Sequence, residues 1–467
     1  MNTTGHRCTV ERASRISVKF NPLGWVIFLA ICFLLVAAAV VAYLTRVTRK
    51  VSQVNIKVKG CGDSEKTERE AGEWTPVVFD YPKIEPFTGD LSAVKPIPYR
   101  PFRWGDYHVT MGIRNMPWNE WIELDQQFFD YHKIREYRLR TRADRSVIIH
   151  PEQPGIVQSG HAGAEEFLYE LAEYLPRRYP TIYRVERHAT SKPNSYSWYG
   201  ENPIKSITII PLQITYDLDE EDPLTMAARL VQEDFAIMIE GTDGRYYLQG
   251  GAILIPGFWR LKDKVGMPLD QIHVSGDVPQ YQSKLHLSMG RFFRRLPVDK
   301  PVIRNNYGFQ VVKNTDPTAT TEDPTRAVDP TELAWSASMQ GNEDRTDYER
   351  SAHVRTEHAD GKVRSWTELL PSMVHLRTER QTLRRLPRTG AVVFTIRVYQ
   401  TPIDSLAQEP GAPGRLASAI RSWPDDVADY KDRFAYEDIL QYLDKRHAEQ
   451  IEAGEITGEE RISYYPF

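Results

Sequence analysis

Cysteine is nearly absent from this chain of 467 residues. The three present, Cys8, Cys32 and Cys61, all lie near the N-terminus. The long remainder has none, which excludes a disulfide framework or a cysteine metal site there. An excess of charge of one sign is missing too. Lys plus Arg number 59 against 63 for Asp plus Glu, a balance that argues against a general nucleic-acid binder. Four common signatures are also absent: GxGxxG, GxxxxGK followed by Ser or Thr, HExxH and GxSxG. Dinucleotide, P-loop, zincin and nucleophile-elbow chemistries lose their support with them. Beyond Asn2 there is no Asn-x-Ser/Thr sequon, and no internal repeat is visible.

One long apolar run is present. Leu23–Leu44 reads LGWVIFLAICFLLVAAAVVAYL without a charge. A helix of that length crosses a hydrocarbon core of about 30 Å. Trp25 and Tyr43 sit near its ends, where interfacial aromatics belong. The expectation is a retained single-pass anchor in an endomembrane of the ER type. Basic residues flank both ends, slightly more after the helix than before it. With the missing sequons, that bias places the following domain on the cytosolic side.

The sequence divides into a tail (1–22), the transmembrane helix (23–44) and a Pro-rich, charged linker (45–100). Then come a domain in two parts (101–312 and 363–404), an acidic and polar insertion between them (313–362), and a C-terminal helical segment (405–467). The insertion has few large apolar residues and is expected to be partly disordered. Periodicity predicts helices over Met111–Arg140, Ala162–Leu175 (ended by Pro176), Pro279–Leu296 and Asp425–Gln450. It predicts strands over Ser206–Tyr216, Phe235–Ile239, Tyr246–Ile255, Val302–Val312, His375–Leu386 and Ala391–Tyr399. Phe258–His273 reads as two short helical pieces. Hairpins separated by helices make the fold class α+β, an antiparallel sheet covered by helices.

Chemistry-bearing residues concentrate in Val231–His273, VQEDFAIMIEGTDGRYYLQGGAILIPGFWRLKDKVGMPLDQIH. Glu233 and Asp234 open an apolar strand. A buried carboxylate there can hold an ammonium group, or simply end the strand in solvent. Arg260 is flanked by Trp259 and Leu261, so its guanidinium is held for a carboxylate, a propionate or an oxygen species. The alternative is a solvated arginine. His273 closes a helical segment, where an imidazole either ligates a metal or favours the helix C-terminus. Arg377, Arg380, Arg384, Arg385 and Arg388, with Arg397 beyond, form a basic stripe suited to propionates, phosphates or an acidic redox partner. Asp217 and Asp219 form a DxD within an acidic loop, the form glycosyltransferases use to hold a metal and a nucleotide sugar.

Four stretches together resemble the haem-dependent oxidative N-demethylase alpha-subunit family. They are Met111–Phe128 (MGIRNMPWNEWIELDQQF), Val231–Ile239, Gly257–Tyr281 and Leu376–Tyr399 (LRTERQTLRRLPRTGAVVFTIRVY). The resemblance implies a PAS-like sheet domain that binds haem b. It implies a monooxygenase-type oxidoreductase that uses dioxygen on a small amine, with electrons from an external flavin or iron–sulfur reductase. Carried onto this chain, His273 is the axial ligand of the haem iron. Arg260 stands over the distal face, Glu233 holds the amine cation, and Arg377 and Arg380 take the cofactor's carboxylates. The polar insertion interrupts the family pattern, and Val-Ser-Gly-Asp-Val-Pro after His273 is longer than the pattern expects. The alternatives are a type II membrane glycosyltransferase built on Asp217 and Asp219, and a haem sensor without catalysis.

Overall fold

The computed structural model describes residues 69–190, 197–220, 222–312, 330–344 and 369–458. The apolar run Leu23–Leu44 lies outside the described residues. Among those described, no helix is long and apolar enough to cross a membrane.

Among the described residues, ten strands make two sheets. The larger has the order β1-β8-β9-β10-β6-β7-β2, and every pairing in it is antiparallel. Its strands are β1 (Arg114–Asn115), β2 (Val147–Ile149), β6 (Asp234–Glu240), β7 (Tyr246–Ala252), β8 (Val302–Val311), β9 (Val374–Arg385) and β10 (Val392–Pro402). β3 (Tyr183–Arg187), β4 (Ile204–Ile209) and β5 (Ile214–Asp217) form the smaller sheet. Successive residues of a strand point to opposite faces, so the long β9–β10 hairpin presents two different surfaces to the layers around it.

The first face is covered by α2 (His161–Arg178). Ala164, Phe167, Leu168, Leu171 and Leu175 recur at helical spacing and are all buried. Phe167 meets Phe235 of β6 edge-on, with ring centroids 4.8 Å apart. At Gly163 the helix comes so close that a Cβ would stand 3.1 Å from Ile237. The Glu166 carboxylate accepts from Arg388 N (2.7 Å) and Thr389 N (2.8 Å), fixing the β9–β10 turn to this helix. The opposite face carries α4 (Leu269–Val274), a π-helical turn (Tyr281–Leu285) and α5 (His286–Arg295). A second core joins α6 (Ala412–Arg421) and α7 (Glu437–Glu452) to Val374, Leu376 and Tyr307 at one end of the sheet.

The α+β class with an antiparallel, helix-covered sheet is the one expected. Several boundaries differ. α1 runs over Phe128–Ser146, because Pro117 and the pairing of Arg114–Asn115 with β8 take the preceding residues out of the helix. Pro176 does not end α2; it sits in the last turn, where only one N–H is forfeited. Ser206–Tyr216 is two strands, with a turn at Ile210–Leu212 around Pro211. α3 (Pro223–Leu230) and β3 were not anticipated, while α6 falls within the expected C-terminal helical segment. Residues 69–100, read as linker, lie on the domain: Trp74 Nε1 donates to Pro387 O at 2.9 Å and Tyr99 is fully buried. Part of the polar insertion is docked as well. Pro330–Ala334 and Ala337–Gln340 are short helices around a buried Trp335. Gly257 N donates to Ala334 O at 2.8 Å there, and Ser336 Oγ to Val311 O at 2.8 Å.

Candidate functional site

The second face of the sheet carries an apolar cavity of about 120 Å³, partly open to solvent. Its floor is a row across four strands: Arg304 of β8, Leu383 of β9, Phe394 of β10 and Met238 of β6. Register explains the row. Phe394 pairs with Leu383, and Met238 pairs with Val392, two residues from Phe394 and so on the same face. Leu269 and His273 of α4, Met289, Phe292 and Phe293 of α5, and Met111 and Ile113 of the N-terminal arm form the walls. The floor alternates with residues that turn the other way, which is why the sequence shows no contiguous motif for it.

His273 is placed in this cavity by a helix of six residues. Its Nδ1 lies 2.7 Å from Leu269 O. A carbonyl only accepts, so the proton is on Nδ1 and the lone pair is on Nε2. The ring stacks on Tyr281, centroids 4.6 Å apart and 14° from parallel. Desolvation pulls its pKa down to about 4, so the imidazole is neutral at physiological pH. A neutral imidazole, oriented by a carbonyl behind it and lined by apolar side chains, has the form of a metal-ligating histidine.

Arg304 is the other polar residue lining the cavity. Its Nε is buried without a hydrogen-bond partner. Burial lowers its pKa, with Glu379 acting the other way. Arg304 and Ile113 also line a second, polar cavity of about 490 Å³, open to solvent in part. A macrocycle that is flat and apolar, carries carboxylates at one edge and offers a metal centre matches this donor set: Nε2 for the metal, the apolar walls for the ring, and Arg304 for an edge carboxylate.

The other residues singled out in the sequence are placed elsewhere. Arg260 is outside the lining of the His273 cavity. Its guanidinium donates to Asp263 (2.6 and 3.0 Å) and to Glu343 O (3.1 Å). Glu233 is fully buried on the opposite face, where its Oε1 accepts from Glu123 N at 3.1 Å. Burial raises its pKa, while Arg397 and Arg380 oppose the rise. The expected cluster of Glu233, Arg260 and His273 is therefore not brought together. The aromatic flanks of Arg260 and the hairpin position of Glu233 pointed to burial, not to a shared cavity.

Arg377 and Arg380 are likewise separated, because a spacing of three on a strand puts side chains on opposite faces. Arg377 donates to Gln310 Oε1 (3.1 Å), Glu379 (3.1 Å) and Ile255 O (3.0 Å) beside a third cavity. Arg380 pairs with Glu123 at 3.1 Å on the face under α2. The two guanidinium groups therefore stand on opposite faces of the sheet. In the acidic loop, Asp217 Oδ1 accepts from Asp219 N at 3.0 Å, and Asp219 stands 3.2 Å from His188 Nε2. Among the described residues no group of three or more His, Cys, Asp or Glu is arranged to hold a metal ion.

Sequence reasoning missed Arg304, Met238, Leu383 and Phe394. The signal available was strand parity: these residues alternate with the partners of α2. A family model described as haem-dependent oxidative N-demethylase, alpha subunit-like, matches residues 112–441, well over half of the chain.

Proposed function

The chain belongs to the haem-dependent oxidative N-demethylase alpha-subunit-like family, and from that premise we propose that it is a haem-binding oxidoreductase acting on an amine. The observation that carries this is the neutral His273 in an apolar cavity, with Nδ1 held by Leu269 O. The cofactor on this reading is haem b, whose iron, when bound, supplies dioxygen chemistry and electron transfer that no side chain of the chain offers.

The residues have separate tasks. His273 Nε2 holds the metal, and the Leu269 carbonyl fixes the tautomer and the ring plane. Tyr281 packs flat on the imidazole and limits its rotation. Met111, Ile113, Met238, Leu383, Met289, Phe292 and Phe394 exclude water from the ring's surroundings. Arg304 offers a cation to an edge carboxylate where the apolar cavity meets the polar one.

The inner five strands support the PAS-like expectation. Counted in their own chain order they run 2-1-5-4-3, with α4 and α5 inserted between the second and third. The reading also includes an external flavin or iron–sulfur reductase. Leu23–Leu44 is its anchor in an ER-like membrane, with the domain on the cytosolic side.

The test is an absorbance titration of the full chain with hemin. A Soret band is expected at one equivalent, lost or shifted in His273→Ala. Release of aldehyde from a secondary amine, with a chemical reductant and dioxygen, then distinguishes turnover from binding alone. A folded chain that takes up no hemin overturns the reading.

A further inference from the structure

The polar cavity beside the haem site has an unusual balance of charge. It is lined by Arg103, Arg114, Arg304 and Lys431, with His108, against a single acid, Asp106. Lys431 is its best-defined member. Its Nζ donates to Tyr307 O at 2.5 Å and to Asn306 Oδ1 at 3.3 Å, both neutral acceptors. It also stands over two rings, 5.0 Å from the centroid of Tyr307 and 5.1 Å from that of Trp423. A cation taken from water into an aromatic, partly closed site is stabilised chiefly by an anion. The carboxylate that raises its pKa, Glu379, already serves Arg377 and Gln381. At Arg304, where the two cavities meet, a buried Nε is likewise unmatched.

We propose that this cavity is the carboxylate-binding half of the substrate site, anchored by Lys431, and that the substrate is an N-alkylated amino acid and not a simple dialkylamine. The amine end then reaches the apolar cavity past Ile113 and Arg304, the two residues common to both cavities. Lys431 carries its charge at neutral pH, since burial lowers its pKa only to about 8. Because Arg304 is shared with the cofactor's side, Lys431 is the residue that separates the two ends of the ligand. This rests on the haem reading for what happens to the amine, and not for the binding of the carboxylate.

The experiment follows tryptophan fluorescence of the full chain, because Trp423 stands beside Lys431. N-methylglycine and dimethylamine are titrated into haem-free and hemin-loaded protein. N-methylglycine is expected to bind both forms, at least about tenfold more tightly than dimethylamine, the effect of one charge-assisted hydrogen-bonded pair. Lys431→Met is expected to weaken N-methylglycine by at least about tenfold, with hemin uptake unchanged. Lys431→Arg is expected to retain binding. If Lys431→Met does not fold, the contrast between the two probes on the unaltered chain and the behaviour of Lys431→Arg decide the matter. Equal binding of the two probes, or undiminished binding to Lys431→Met, overturns the assignment. So does loss of hemin uptake in Lys431→Met, which makes Lys431 a propionate partner instead. A chain that binds N-methylglycine but no hemin removes the haem reading and leaves the carboxylate site standing.

Discussion

The two faces of the large sheet use the same β9–β10 hairpin differently. Under α2, each arginine of β9 and β10 meets a carboxylate: Arg380 with Glu123, Arg384 with Glu170, Arg397 with Asp125. On the other face the same hairpin sets Leu383 and Phe394 beside polar neighbours: Arg377 and Gln381 both donate to Glu379, and Arg385 donates to Leu296 O. One alternating sequence builds both surfaces. Buried ion pairs contribute little net stability and lock geometry instead, since desolvation offsets most of the Coulomb attraction. The face whose arginines each meet a carboxylate therefore reads as scaffold, and the apolar patch around Leu383 and Phe394 on the other face as the place left for a ligand.

The contrast is broken most severely by removing one partner on the crowded face. Arg397 is fully buried, donates to Asp125 at 2.8 Å and stands 4.6 and 4.7 Å from the Tyr131 and Tyr399 ring centroids. Arg397→Met leaves the Asp125 carboxylate buried without its cation. A loss of about 3–5 kcal/mol in urea unfolding is expected. A loss under about 1 kcal/mol means the pair is solvated, and the scaffold reading fails.

A milder pair of variants compares neighbours on β9. Thr382 faces α2 and its Oγ1 lies 2.6 Å from Thr395 Oγ1. Thr382→Val strands the Thr395 hydroxyl, at a cost of about 1–3 kcal/mol. Leu383, the next residue, faces the cavity, and Leu383→Met conserves volume at a cost below about 1.5 kcal/mol. Only Leu383→Met is expected to alter the hemin absorbance spectrum. A spectral change in Thr382→Val instead puts the ligand on the wrong face.

Much of this architecture was legible beforehand. The β6–β7 hairpin, the strands around Val302 and Ala391, and the α+β class followed from alternation and turn residues. His273 became a ligand candidate through the family resemblance, since a histidine closing a short helix serves as readily as a cap. The partners assigned to it were not. Glu233, Arg260 and Arg380 have the residue types that cofactors use, and buried ion pairs use the same types. Only the register across β8, β9, β10 and β6 tells which face a side chain serves, and register is a property of pairing, not of one strand. Arg304 illustrates the point: its neighbours in the chain are unremarkable, and its place in the cavity comes from lying in a row with Leu383 and Phe394.

A smaller effect separates the faces by pH. Glu233 on the crowded face holds its proton more tightly than an ordinary carboxyl, because burial outweighs the pull of Arg397 and Arg380. A raised folded-state pKa gives stability that is complete below about pH 4.3 and is lost as pH rises through the raised value. Glu233→Gln is fixed in the neutral form and escapes that loss. The variant is expected to gain stability on the unaltered chain at pH 8, and nothing at pH 4. Urea midpoints at the two pH values check it, and a variant equally destabilised at both removes Glu233 from the titrating groups.

His273 gives the opposite sign on the other face. Its folded-state pKa is depressed to about 4 by desolvation, so the haem-free chain keeps full stability above the ordinary histidine value of about 6.5 and loses it as pH falls toward 4. Between pH 7 and 6 the loss depends almost wholly on the unfolded chain taking up a proton, and is under about 1 kcal/mol. His273→Phe keeps an aromatic ring against Tyr281 and has no proton to gain. Its urea midpoint is expected to fall less than that of the unaltered chain over this interval. His375, buried and held near pKa 4 for the same reason, titrates alike in both proteins and cancels in the difference. Equal slopes mean that water already reaches the His273 ring, and that the cavity is too wet to hold an apolar macrocycle against it.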